Sequence, residues 1–187
     1  MHSLTYSLIT LSLLLATSSG ISATAGESQL TRISGGAFQG NWEHCDRLND
    51  ARWGKGKVCS GYVLLQNNKN ICGTWSYWAT GTTYEGQLQM TAIRKNTAKK
   101  ELICGVPGSE TQTECANEYT PEGGWEAYKG YMMVCQNALL TEARQDKTEP
   151  SPIAKYCDRY YTRKTVPARQ IKKLLAEPWM QQCLTRP

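Results

Sequence analysis

Histidine is nearly absent from this 187-residue chain, which carries only His2 and His44. Imidazole is the commonest general base and a frequent metal ligand, so its scarcity narrows the available chemistry. The close C-x-x-C pairs of a zinc site are also missing: no two of the eight cysteines lie nearer than Cys104 and Cys115. There is no G-x-S-x-G elbow, no H-E-x-x-H helix and no phosphate-cradling glycine loop. A bilayer span needs roughly 20 apolar residues. The run from Leu4 to Ala16 is shorter and is interrupted by serine and threonine. These absences point to no catalytic residue, no metal site, no cofactor and no integral span in the mature chain. One hydrolase class leaves no local signature, because the fold brings its two carboxylates together. Asp46, Asp50 and the glutamates of 110–126 would be its candidates.

Residues 1–25 read as a signal peptide. The apolar run leads through small residues to Ala23-Thr24-Ala25, a small-x-small site of the kind signal peptidase cuts, although the start lacks lysine and arginine. The expected location is periplasmic or extracellular, and residues 26–187 suffice for one ordinary core. An even set of cysteines in an exported chain implies disulfides: Cys45, Cys59, Cys72, Cys104, Cys115, Cys135, Cys157 and Cys183. Two local bridges are expected. Cys104–Cys115 would staple the Gly105-Val106-Pro107-Gly108 loop, and Cys157–Cys183 would join two C-terminal helices. Each bridge stabilises by roughly 2–4 kcal/mol, mainly by restricting the unfolded chain.

After a lead-in at Gly26 to Gly36, poor in apolar residues, strand patterns dominate residues 26–148. Val58–Gln66 is apolar and β-prone, Asn67-Asn68-Lys69-Asn70 is turn chemistry, and Ile71–Thr80 is rich in aromatics. From Tyr84 to Ile93 the residues alternate, with Tyr84, Gly86, Leu88, Met90 and Ala92 on one face and Glu85, Gln87, Gln89 and Thr91 on the other. That period of two means antiparallel strands with one wet face. Glu101–Cys104 is a fourth strand, Tyr131–Cys135 a further one, and Asn137–Arg144 a short helix. Residues 149–187 read as a helical segment packed on the same domain. One helix covers Ile153 to about Tyr161, and another covers Pro167–Glu177 and is ended by Pro178. The expected class is β-rich α+β: an antiparallel meander or small barrel with a C-terminal helical segment, stapled by disulfides.

Charge is divided along the chain. Of 21 Lys and Arg, eight fall in residues 150–187, against two acidic residues there; residues 101–128 hold six glutamates and no cation. A basic tail could bind nucleic acid, but export removes that partner. A solvated helix face, or attraction to an acidic partner or envelope polymer, remains.

Trp75, Tyr77 and Trp78 crowd one strand, with Tyr62 and Tyr84 on its neighbours and Trp42 and Trp53 ahead. Alternation sets Trp75 and Tyr77 on one face and Trp78 on the other. Such rings build a core, and an uncovered one becomes a stacking platform. Gly40-Asn41-Trp42 has the G-x-W form found on the first strand of lipocalins. Thr80-Gly81-Thr82-Thr83-Tyr84 resembles the S-G-x-x-Y loop of the membrane-bound inhibitors of c-type lysozyme, departing at its first position. That second resemblance implies a loop entering a lysozyme cleft, with Thr80 and Tyr84 supplying its hydroxyls.

The chain therefore reads as an exported, non-enzymatic binding protein for a protein or envelope-polymer partner. Its sharper form is an inhibitor or immunity-type protein against a cell-wall hydrolase, with Thr80, Gly81, Thr82, Thr83, Tyr84, Trp75 and Tyr77 as contacts. The alternatives are a small hydrolase with paired carboxylates, and a lipocalin-like binder of a small ligand or glycan using Trp75, Tyr77 and Trp78.

Overall fold

The computed structural model describes residues 33, 35–50, 54–79, 81–119, 122–143 and 161–187. The alternating segments become long strands joined by tight turns: β1 (Gly40–Asp50), β2 (Gly54–Asn67), β3 (Asn70–Ala79), β4 (Thr82–Arg94) and β5 (Thr97–Gly105), each antiparallel to the next. Asn68, with φ 53°, makes the turn between β2 and β3, a left-handed conformation that asparagine tolerates. Beyond β5 come β6 (Glu126–Ala127), β7 (Tyr131–Cys135), β8 (Ala138–Ala143) and β9 (Tyr161–Lys164). Both β6 and β7 pair with β5, β8 pairs with β7, and β9 lies between β8 and β1. Eight strands thus close into an up-and-down antiparallel barrel, with β6 as a short extra pairing on β5.

Closure explains why the inward set is the apolar one, since directly paired residues share a face and each strand alternates. Trp42, Leu64, Ile71, Trp75, Leu88, Met90, Ala98, Ile103, Met132, Val134 and Leu139 form the core. One end is plugged by the turn before β1. Phe38 is fully buried there, and its N–H donates to Gln66 Oε1 at 3.1 Å. The Trp42 indole N–H donates to the Phe38 carbonyl at 2.7 Å. Arg163, from β9, lays its guanidinium 4.5 Å from the Trp42 ring and donates to the Ala37 carbonyl. Burying Phe38 alone is worth about 2–3 kcal/mol.

Helices α1 (Ala168–Ala176) and α2 (Pro178–Leu184) follow β9. Leu65 and Cys72 lie on the outer face of β2 and β3, opposite Leu64 and Ile71, yet both are fully buried. The cover is α2, with Met180, Cys183 and Leu184 buried against the wall. Asn70 donates its side-chain amide to the Arg186 carbonyl at 2.7 Å, Asn67 donates to the Leu184 carbonyl at 3.0 Å, and Arg186 pairs with Glu101 at 2.9 Å. The end of the chain is thereby fastened to β2, β3 and β5.

Three expectations are corrected here. Cys183 bonds Cys72, not Cys157, because α2 lies on β3 and brings together residues 111 apart in sequence. The segment expected as a helix from Asn137 to Arg144 is β8 over its described part, because Leu139 faces the core opposite Val134. Tyr161, expected to end a helix, begins β9; residues 153–160 of that helix lie outside the described residues. Pro178 ends α1 as expected and also opens α2 from its first turn. The Cys104–Cys115 bridge forms as expected, and Cys45–Cys59 joins directly paired residues of β1 and β2. Cys135 is also disulfide-bonded. Cys157, the cysteine not otherwise accounted for, lies outside the described residues, as do residues 1–25, expected as a signal peptide, and Trp53.

Removing the Cys72–Cys183 tie tests whether α2 is held to the barrel chiefly by that bond. The double substitution Cys72→Ser with Cys183→Ser is expected to lower unfolding free energy by about 2–5 kcal/mol. Urea denaturation measures it, and far-ultraviolet circular dichroism should still report the barrel.

Candidate functional site

The end of the barrel away from Phe38 is lined with half-buried tyrosines: Tyr62, Tyr77, Tyr84 and Tyr161. Tyr77 and Tyr84 face each other across β3 and β4, and their rings stack at 5.2 Å and 18°. Below them Trp75 stacks on Tyr77 at 5.9 Å and 20°, giving a three-ring ladder that descends into the core. Its lowest ring is 3% exposed and donates its indole N–H to the Cys104 carbonyl at 3.2 Å. Two glycines make room for it. Gly86 and Gly105 are paired across β4 and β5, and a Cβ on Gly86 would lie 2.6 Å from the indole. On the facing wall Tyr62 and Tyr161 meet edge to face at 5.2 Å, with His44 at 6.2 Å from Tyr161.

The loop after β5 bends beside this opening. Its start is set by Val106 N–H donating to the Glu85 carbonyl and Gly105 N–H donating to the Thr113 carbonyl. Pro107 bridges to Thr111 around Gly108, whose φ of 85° suits glycine. Thr111 is 1% exposed. The Glu126 carboxylate accepts from Gln112 N–H at 3.2 Å and from the Thr113 hydroxyl at 2.9 Å. Hydrogen bonds from the Thr111 and Thr113 hydroxyls hold its pKa below the ordinary carboxylate value. Cys104–Cys115 staples the same loop.

Glu110 is exposed in this loop. Burial raises the phenol of Tyr62, with smaller contributions from the neighbouring Tyr128, Tyr161 and Glu110. Tyr77 and Tyr161 are raised too, first by burial and next by the Glu110 charge, while a hydrogen bond with Ser109 opposes the shift at Tyr77. Lys100 is buried lower in the wall, its ammonium 4.3 Å from the centre of the Tyr128 ring.

A concavity of about 480 Å³ lies outside the barrel, between β3–β5, the 106–117 loop and the helices. It is lined by Thr74, Gln87, Glu85, Glu114, Lys173 and Trp179 among others. Its glutamates are exposed, and among the described residues no aspartate or glutamate is fully buried, so no buried carboxylate pair faces across a cleft there. Glu43, Cys45 and Cys59 are close enough to share a metal ion, but the two sulfurs are bonded to each other and offer no thiolate. No helix among the described residues is long and apolar enough to cross a membrane.

The sequence-derived contacts divide between two places. Trp75, Tyr77 and Tyr84 come together inside the barrel, whereas Gly81, Thr82 and Thr83 are exposed at the β3–β4 turn and Thr80 lies outside the described residues. Trp78 is on the opposite face of β3 from the ladder. Tyr161 joins the opening without having been singled out, because it follows a stretch with no clean alternation. No family model, curated protein or solved structure matches the chain.

The raised phenols give an alkaline signature. A raised folded pKa means that the native state keeps its protons after the unfolded chain begins to lose them, near pH 10. Stability from these groups is therefore full below about pH 10 and declines as pH rises through the higher native values. Ultraviolet titration should show a late phenolate fraction that shrinks in Tyr62→Phe, Tyr77→Phe and Tyr161→Phe.

Proposed function

We propose that this chain is an exported, non-enzymatic binding protein that takes a small ligand into the tyrosine-lined mouth of its barrel. The observation that carries the reading is the Trp75–Tyr77–Tyr84 ladder, half-open at its upper rings and rooted in the core. Rings held this firmly need no ordering on binding, so stacking on a ligand is not offset by lost rotamer freedom. The closed barrel plugged at Phe38, with Trp42 of the G-x-W triplet beneath Arg163, supports the lipocalin-like alternative over a paired-carboxylate hydrolase. Three bridges within the described residues support an oxidising destination.

The neutral probe N-phenylnaphthylamine should brighten on binding the wild-type protein. Tyr77→Ala should weaken that binding about tenfold, the loss expected for one aromatic contact. No brightening, or equal brightening in the variant, would remove the mouth as the site.

A second reading, inhibition of a cell-wall hydrolase, is favoured by the exposed Gly81, Thr82 and Thr83 at the β3–β4 tip. Purified protein at micromolar dose should then slow at least one of a panel of lysozymes and peptidoglycan amidases. Undiminished activity throughout the panel would dispose of it.

A further inference from the structure

The geometry points to a site for an uncharged saccharide on the outer wall of the barrel, independent of the mouth reading. It is the concavity of about 480 Å³ between β3–β5, the 106–117 loop and the helices, within the roughly 300–1,000 Å³ of small-molecule sites. Strand register sets its floor. Thr74 is paired with Gln87 and Gln87 with Cys104, so their side chains form one row on the outer face of β3, β4 and β5. Cys104 is bonded to Cys115, which draws the loop over the end of that row. The Glu114 carbonyl accepts from Gly124 N–H at 2.9 Å and holds the loop from its far side.

The helices close the other side. Glu177 joins α1 to α2, its N–H donating to the Leu174 carbonyl and its own carbonyl accepting from Met180 N–H, each at 3.1 Å. Trp179 follows in the first turn of α2, its ring 5.8 Å from Trp125 at 54°. Met180 and Cys183 of the same helix are buried, and Cys183 is bonded to Cys72 of β3. The lining side chains therefore start from backbone that is fixed before a ligand arrives. Together they offer an indole, the Thr74 hydroxyl, the Gln87 amide, the Lys173 ammonium and the carboxylates of Glu85, Glu114 and Glu177. Donors and acceptors set beside an aromatic ring match a pyranose, whose hydroxyls both donate and accept while its C–H faces are apolar. An anionic ligand would meet three carboxylates. An organic cation would meet Lys173 and leave Thr74 and Gln87 unused. An uncharged saccharide engages the whole set.

Three trisaccharides of different charge separate these cases by isothermal calorimetry on the full disulfide-bonded protein: neutral chitotriose, its cationic de-acetylated form and anionic trigalacturonate. Chitotriose is expected to bind at least about tenfold more tightly than either charged trimer. Trp179→Ala should weaken it about tenfold, the loss expected for one aromatic contact. Gln87→Ala, on the barrel wall and away from the packing of α2, should weaken it roughly threefold or more, the loss of one hydrogen bond. Tyr77→Ala, at the mouth, should leave chitotriose binding as it was. Absence of chitotriose binding, equal or tighter binding of a charged trimer, or affinity unchanged in either Trp179→Ala or Gln87→Ala would overturn the saccharide site. N-phenylnaphthylamine binding reads the mouth separately and should be the same in Gln87→Ala as in the wild type, so each site can fail without the other.

Discussion

A sheet becomes a barrel only when its last strand finds its first, and here that meeting is short. β9 has four residues and pairs three of them with β1: Thr162 with Glu43, Arg163 with Trp42 and Lys164 with Asn41. So brief a ladder holds because side chains reinforce it. Arg163 covers the Trp42 ring and reaches the Ala37 carbonyl, Lys164 pairs with Glu43, and the Thr162 hydroxyl donates to the Glu43 carbonyl. The same Trp42 bonds Phe38, so closing the wall and plugging one end are a single event. Without closure β1 would be left with one unpaired edge, and the inward rings would lose their facing wall.

Closure also governs the outside. A barrel curved around its core still leaves apolar residues on its outer face, among them Leu65 of β2 and Cys72 of β3, which need cover. The amphipathic tail meets that need. α2 supplies apolar residues and Cys183, and the terminal carbonyls accept from Asn67 and Asn70. A disulfide spanning 111 residues restricts the unfolded chain far more than one spanning 11, while the short Cys104–Cys115 bridge instead shapes the loop beside the mouth. The two bridges thus serve different levels of the structure, global stability and local geometry.

At the mouth, packing and recognition are continuous. Trp75 is core: its indole is hydrogen-bonded and lies over Gly86 and Gly105. Tyr77 and Tyr84 extend the same stack to where solvent begins. A ladder of this kind links the stiffness of the interior to the exposed rings, which is what a preorganised ligand surface requires. The loop after β5 is fastened at Glu126, so the backbone beside the rings is also placed in advance.

Much of the wall was legible in the residues themselves. The alternation in β4, the inward parity of Trp75 and Tyr77, the fourth strand ending at Cys104, the Cys104–Cys115 staple and the helix ended by Pro178 all depend on neighbours a few positions apart. The rest depends on residues far apart. β8 reads locally as a helix and becomes a strand because Leu139 completes the core opposite Val134; β9 is too short to show a period at all. Cys183 chooses Cys72 because curvature brings α2 onto β3. By itself the sequence determined which residues face inward, since that follows from a backbone period of two. Only the tertiary structure decided which strand closes on which, which cysteines meet and which rings stack at the mouth, because those follow from long-range contacts that no local pattern encodes.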